Sequence, residues 1–336
     1  MFIVEDYTLA VILCFITMIC WGSWGNTQKL AAKTWRYELY YWDYVIGMLL
    51  FSLVMGFSIG SHGEEGRPFL EDLAQGAWTS LVPVFFGGVV FNAGNILLSA
   101  SVSLSGMTIA FPLGVGIALI LGVIINYIGL PSGNPVLLFS GVALVMIAII
   151  FNTIASKRTP QQPAAGSQNT KGVLLAVCAG ILLSLFYRFV VIGMDVEHFH
   201  QPAASMLTPY SAVFVFSLGV FISNFVFNTL MMKFPMTGSK VSYCQYWNGD
   251  IKTHLTGIAG GAVWCLGTGL SYIASGQAGP SISYALGQGA PLIAALWGVF
   301  VWKEFKGAGR SVNLLLTLMF LLFMDGLALI IAAGRG

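Results

Sequence analysis

Two stretches carry the reading of this chain: Gly87–Gly116, GGVVFNAGNILLSASVSLSGMTIAFPLGVG, and Gly260–Gly289, GGAVWCLGTGLSYIASGQAGPSISYALGQG. Laid on each other without a gap they agree at ten of thirty positions: Gly87/Gly260, Gly88/Gly261, Val90/Val263, Gly94/Gly267, Leu97/Leu270, Gly106/Gly279, Ile109/Ile282, Leu113/Leu286, Gly114/Gly287 and Gly116/Gly289. Glycine-rich membrane sequence can match itself by accident. Here one register holds through two apolar segments and the turn between them. Repeated membrane halves commonly enclose a solute path at their interface, so the repeat points to a transporter.

Composition places the repeat in a bilayer. Hydrophobic residues make up 57% of the 336 positions and charged residues 8%, a balance that no water-soluble surface of this size tolerates. Glu5 and Asp6 precede the first apolar stretch and no basic region stands there, so no cleaved signal peptide is expected. Four of the five cysteines (Cys14, Cys20, Cys178, Cys265) fall inside apolar segments, which excludes a disulfide framework.

A spanning helix needs about 20 mainly apolar residues. That yardstick gives ten segments, near 7–28, 38–59, 78–100, 104–127, 135–155, 172–194, 204–230, 255–275, 280–302 and 310–333. The runs are continuous and lack the period of two of a β-barrel strand, so the expected fold is an all-α integral membrane bundle. A Pro, Ala, Gln and Ser-rich linker at 156–170 divides the chain into a first five-helix repeat, 1–155, and a second, 171–336. Lys29, Lys33, Arg36, Lys157, Arg158, Lys171, Lys233, Lys240, Lys252, Lys303, Lys306 and Arg310 all fall on one side of this topology, against Arg67 and Arg335 on the other. Basic loops favour the cytoplasm, which puts both termini outside. A five-helix unit enters on one side and leaves on the other, so its second copy runs inverted, the arrangement that supports alternating access.

Polar groups inside a span are costly there and mark cavities or helix contacts. Asp43, in Tyr40-Tyr41-Trp42-Asp43-Tyr44, is a candidate proton-binding carboxylate, the alternative being an interfacial residue among anchoring aromatics. Arg188 and Asp325 lie deep in segments 6 and 10, roughly 26 and 22 Å up their helices at 1.5 Å per residue. Their similar depth suggests a gating ion pair, with a static pair or an outward-snorkelling arginine as the alternative. Asp325 also falls on Asn152 by the offset of the repeat, which hints at a shared packing position.

Gly88, Asn92, Asn95 and Ser99 follow i, i+4, i+7, i+11 and give segment 3 a small, polar face. The repeat puts Gly261, Cys265, Thr268 and Tyr272 on the matching face of segment 8. Asn224, Asn228, Gln277 and Gln288 add further amides. Amides and hydroxyls suit a neutral solute rich in hydrogen-bonding groups; taken singly, each also serves as interhelical glue. Segment 1 ends in Trp21-Gly22-Ser23-Trp24-Gly25-Asn26, where two glycines loosen the helix and two indoles could stack on a ring-shaped solute. The expected solute site is therefore Trp21, Trp24, Asn26, Asn92, Asn95, Thr268, Gln277 and Gln288, with Asp43, Arg188 and Asp325 coupling or gating.

Histidines lie in loops or at segment edges, and the chain has no His-Glu-x-x-His, Gly-x-Ser-x-Gly or phosphate-binding loop. Neither an intramembrane protease nor an ATP-driven pump is indicated, and no metal or resident cofactor is expected.

Trp21-Gly22-Ser23-Trp24, Tyr41-Trp42-Asp43-Tyr44, Trp247-Asn248-Gly249, Gly267-Thr268-Gly269-Leu270, Gly276-Gln277-Ala278, Pro291-Leu292 and Trp297-Gly298-Val299 leading to Glu304 resemble the ureide permeases. These are ten-helix members of the drug/metabolite transporter superfamily, close to the bacterial glucose/ribose/rhamnose porters. The resemblance covers most of the chain and is strongest from Trp247 to Glu304. It implies secondary-active, often proton-coupled uptake of oxo-derivatives of nitrogen heterocycles such as allantoin, uracil and xanthine, while the sister porters imply a monosaccharide. The chain departs from plant members in its short central linker, and Arg188 matches no family arginine. The expectation is a proton-coupled importer, with Na⁺ as the alternative ion, in a bacterial cytoplasmic membrane. Its partners are the lipid bilayer and a small solute rather than nucleic acid, with a homodimer through the glycine-rich faces. A multidrug exporter and a non-transporting scaffold are the rivals.

Overall fold

Backbone polar groups in hydrocarbon must be satisfied within the chain, so a sequence this apolar folds as helices. The structure is a computed structural model that describes residues 1–31, 35–105, 107–159, 170–236 and 238–335. Among the described residues ten stretches are long and apolar enough to cross a membrane. The central part of the expected linker, 160–169, lies outside the described residues.

The first span is α1 (Tyr7–Ser23) followed by α2 (Gly25–Ala31). The Asp6 side chain accepts from Leu9 N at 2.8 Å and starts α1 as an N-cap. The expected loosening at the two glycines is confined to a break at Trp24. Gly22 serves close packing instead, since a Cβ there would stand 2.5 Å from Ala290 O. The next spans are α3 (Tyr37–Phe57), α5 (Trp78–Ser105), α6 (Met107–Gly129) and α7 (Pro135–Lys157), with the short α4 (Phe69–Gln75) between α3 and α5. The second half follows with α8 (Thr170–Gly193), α9 (Pro209–Lys233), the short α10 (Tyr243–Trp247) and α11 (Ile251–Ala278). The ninth span is broken into α12 (Pro280–Gly287), α13 (Ala290–Leu296) and a π turn at Trp297–Val301, and α14 (Arg310–Ala333) is the tenth. Segment 7 starts at Pro209 rather than 204, because proline takes the first helical position after Thr208. At 28 residues each, α5 and α11 are the longest helices and exceed the bilayer core.

α5 packs on α8 and α9, and α11 packs on α1 and α3. α6 lies on α8, the ninth span lies on α1, α7 lies on α14, and α3 lies on α9. Exchanging the first five spans for the last five turns each of these contacts into a member of the same set, with the α7–α14 and α3–α9 contacts mapping onto themselves. Large apolar side chains such as Leu50, Val54, Ile128, Leu314 and Leu321 are exposed, as lipid-facing positions require.

Glycine sets two of the crossings. A Cβ on Gly88 would fall 2.1 Å from Phe216 O, and one on Gly219 would fall 2.1 Å from Phe85 O, so α5 and α9 meet backbone to backbone. At the crossing of α11 and α3 a Cβ on Gly261 would stand 1.9 Å from Tyr44 O, and one on Gly47 would stand 2.1 Å from Ile258 O. Gly88 and Phe85 are the repeat partners of Gly261 and Ile258. The crossing of α7 and α14 lies at Gly141 and Gly326, each facing the other's carbonyl. Asn152 stands three turns beyond that point while Asp325 stands beside it, so they do not share a packing position.

Candidate functional site

The polar face of α5 is zipped to its neighbours. Asn92 donates through Nδ2 to Val220 O at 3.2 Å and to Ser223 Oγ at 2.9 Å, and its Oδ1 accepts from the Tyr41 hydroxyl at 2.9 Å. The same hydroxyl accepts from Asn95 Nδ2 at 3.0 Å. Asn92 has no hydrogen-bonding group left over, so at this residue the glue function holds.

Unused capacity lies on α3, α9 and α11. The Tyr44 and Tyr272 hydroxyls, both amide atoms of Asn224 and Oδ1 of Asn228 are buried with no hydrogen-bond partner among the described residues. Asn228 Nδ2 is held by Glu38 O at 2.8 Å. Both tyrosine hydroxyls lie near the buried Cys265 thiol, which itself reaches Ser217. A buried polar atom without a partner costs about 1–3 kcal/mol, so native proteins offer such atoms to water or a ligand.

Aromatic rings gather around Trp21 and Trp264. Trp21 stacks on Trp264 with ring centres 5.8 Å apart and 12° between planes, while its Nε1 donates to Thr268 Oγ1 at 3.1 Å. Trp24 lies 5.0 Å from Tyr44, and Trp264 lies 4.4 Å from Phe91. Of the expected residues, Trp21 and Thr268 are brought together, and Trp24 stands against Tyr44. Asn224, Asn228, Tyr44 and Tyr272 supply the open polar groups, and the i, i+4 spacing of the two asparagines was their signal.

Access differs at the two ends. On the face with the basic loops a cavity of about 350 Å³ is lined by Arg36, Tyr37, Glu38, Ser99, Met231 and Ser239, and the Tyr37 ring lies tilted against Tyr41 with centres 5.2 Å apart. At the opposite face α4 and the loop before α9 are stitched shut. Arg67 pairs with the fully buried Asp72 at 2.9 Å and donates to Pro202 O at 2.7 Å. Asp72 accepts from Thr208 N at 2.8 Å, and Gln75 Nε2 donates to Met206 O at 2.9 Å.

Asp43 does not face the amide stripe. Two residues from Tyr41, it points about 200° away around α3 and lies on Gly257 of α11, where a Cβ would stand 2.5 Å from the Asp43 Cβ. Its Oδ1 accepts from the Tyr246 hydroxyl at 2.7 Å, and His254 Nδ1 lies 2.9 and 3.0 Å from its two oxygens. Burial raises the Tyr246 hydroxyl well above its ordinary value, and the hydrogen bond and charge of Asp43 add to the rise. Sequence reasoning missed both partners, because His254 looked like an edge residue and Tyr246 like a loop residue.

Other expected residues lie elsewhere. Arg188 packs its guanidinium against Gly129, and Asp325 is exposed on α14, which packs on α7. The two do not form an ion pair, so matched depth did not bring them together; Arg188 fits the snorkelling alternative. Asn26 accepts from Trp302 Nε1 at 2.6 Å and joins the first and ninth spans beside the Lys29–Glu304 pair at 2.6 Å. Gln288 is half-buried and reaches the Tyr284 hydroxyl one turn earlier. Gln277 is exposed and lines a separate cavity of about 190 Å³ with Ser132, Glu197 and Ser275. Gln288 follows Gly287, on which the Trp21 ring packs. The described residues hold no cluster of three metal-ligating side chains.

A bundle of ten apolar spans with polar groups and aromatic rings buried inside it defines a multi-pass membrane protein. The sequence profile of the family described as ureide permease matches residues 40–164 and 157–333, and the chain belongs to that family. Ureide permease 1 of Arabidopsis thaliana is 23% identical over 391 aligned residues, covering 99% of both chains. Ureide permease 2 of the same plant is 23% identical with the same coverage. An L-rhamnose-proton symporter of Yersinia pestis is 30% identical over 138 residues, covering 38% of this chain and 39% of its own. A solved crystal structure shares the fold with a TM-score of 0.59 at 14% identity, over 97% of this chain and 96% of the other. The relatives that align over the whole chain are plant proteins, so they do not favour the bacterial membrane that the sequence suggested.

Proposed function

We propose that the chain is a proton-coupled permease that imports a small, neutral, polar heterocycle of the ureide or nucleobase kind by alternating access. The observation that carries this reading is the pair of buried, unpartnered tyrosine hydroxyls among aromatic rings, Tyr44 packed on Trp24 and Tyr272 on Phe216, which itself stacks on Trp264, together with the unpaired Asn224 amide on α9. A planar ring bearing N–H and C=O groups fits a site of hydroxyls, a two-sided amide and aromatic faces. The names of the whole-chain relatives support the solute class.

The exchange symmetry of the helix contacts supports an inverted five-plus-five repeat, and the paired glycine crossings support it further. The distribution of Lys and Arg supports a cytoplasmic vestibule and outside termini. With the opposite face stitched, the structure corresponds to the inward-facing state of the cycle. Asp43 is the coupling carboxylate in this reading, with H⁺ rather than Na⁺ as the ion. No step requires an enzyme or a cofactor.

The match to the L-rhamnose-proton symporter favours a monosaccharide as the second reading. Thermal stabilisation of the purified protein separates the two, because binding to the folded state raises the melting temperature. Allantoin or uracil raises it under the first reading, and a hexose or pentose alone raises it under the second. Stabilisation only by hydrophobic cations would replace both with an exporter.

A further inference from the structure

Three elements converge on Asp43. The carboxylate belongs to α3, Tyr246 comes from α10, and His254 stands one turn before Gly257 on α11. The side chain of Asp43 is 2% exposed and that of His254 is 17% exposed. Water therefore meets the imidazole and not the carboxylate.

The imidazole is held in one orientation. Its ring stands edge-on to Trp35 at 4.5 Å and 83°, and edge-on to Tyr246 at 5.0 Å and 89°. Nδ1 points at Asp43, while Nε2 points at the turn before α11, where a Cβ on Gly249 would stand 2.8 Å from it. Only glycine leaves that nitrogen room.

The titratable groups that face Asp43 among the described residues are Tyr246 from α10, His254 from α11 and Tyr40 on α3 itself. The Tyr40 hydroxyl is engaged by Thr27 of α2 at 2.7 Å. Nearby charges are committed elsewhere, Arg36 to Glu38 and Lys29 to Glu304. Among the described residues no Lys or Arg pairs with Asp43.

We propose that His254 is the port through which the coupling proton reaches and leaves Asp43, the two side chains acting as one protonatable pair; this rests on the reading of Asp43 as the coupling carboxylate. A proton from water binds Nε2, the Nδ1 proton passes to Oδ2 of Asp43, and the ring is left neutral with its proton on Nε2. The reverse sequence returns the proton. Imidazole changes charge in the physiological range, which suits it to this transfer. Tyr246 holds Oδ1, so the transferred proton goes to the other oxygen.

Two measurements on the full chain test the pair. The first is the pH profile of solute uptake in proteoliposomes for wild type and His254→Gln. Glutamine keeps a hydrogen-bonding side chain of similar reach but does not titrate, so the profile flattens between about pH 5 and 8; an unchanged profile overturns the proposal. The second needs no transport. An adjacent imidazolium quenches indole emission, so the fluorescence difference between wild type and Trp35→Phe reports the charge on His254. Asp43→Asn moves the midpoint of that titration if the two groups share a proton, and an unmoved midpoint overturns the pair. Uphill uptake that survived Asp43→Asn would remove the coupling reading instead, while the Trp35 titration would still decide whether the pair exists.

Discussion

Tyr41 and Asn92 saturate each other: the phenol donates to the amide oxygen at 2.9 Å, while the amide nitrogen is spent on α9. Asn224, on that same α9, has both amide atoms buried and unpaired. Two asparagines with the same chemistry thus have opposite roles. Asn92→Leu removes the acceptor of the Tyr41 hydroxyl and the donor to Val220 O and Ser223 Oγ, and lowers stability by about 1–3 kcal/mol. Asn224→Leu removes an unpaired buried amide, so its melting temperature is unchanged or higher while solute binding weakens. Thermal unfolding with and without the solute reads both effects, and a large loss of stability in Asn224→Leu would return that residue to a structural role.

The two glycine crossings answer to one test. Gly88→Ala and Gly261→Ala each drive a methyl group into a backbone oxygen of the facing helix, and each costs about 1–3 kcal/mol by overpacking. Equal losses in thermal unfolding are expected from equivalent positions. Tolerance of one substitution and not the other would show that the halves pack differently.

Asp43→Asn keeps the shape of the side chain and removes its charge change. Accumulation driven by a pH gradient is lost, and exchange of labelled for unlabelled solute persists. Accumulation equal to wild type in the same vesicles would exclude the carboxylate as the coupling group.

Tyr246 sets an alkaline limit. Its hydroxyl titrates above the ordinary value because of burial first and Asp43 second, so the folded state favours the neutral phenol. The stability this contributes is fully present below about pH 10 and is lost as the pH climbs through the raised folded value. Melting curves of wild type therefore fall more steeply above that pH than those of Tyr246→Phe, and coincident curves would count against the assignment.

Arg67→Met leaves the Asp72 carboxylate buried without its cation. Breaking a buried pair from one side costs about 3 kcal/mol, and the loops that Arg67 ties through Pro202 and Met206 become accessible to protease at the closed face. Unaltered melting and proteolysis would show that the remaining hydrogen bonds hold the closure alone.

The spans were legible because they depend on apolar length, which is a property of the string. Thr268 was picked out by the register of segment 8 against segment 3, and Trp21 and Trp24 by their i, i+3 spacing beside two glycines. What the string did not carry was azimuth. Arg188 and Asp325 sit at matching depth, which a rise of 1.5 Å per residue reveals, yet they point to different neighbours because packing alone fixes the rotation of α8 and α14. Asp43 and Tyr41 are two residues apart and face opposite partners for the same reason. His254 escaped notice because its importance comes from Asp43, more than two hundred residues earlier, and no local pattern encodes that meeting.

Where Gly88 meets Gly219 and Gly261 meets Gly47, nothing but main chain separates the helices. Sliding along such a contact would push the next side chains into the opposing carbonyls, whereas pivoting about it leaves them clear. Each crossing is therefore a fulcrum, and the helices through it are levers whose two arms reach opposite faces of the membrane. In the alternating-access reading proposed above, closing the arms around the vestibule spreads those at the stitched face, and the two crossings tie the opening of one mouth to the shutting of the other.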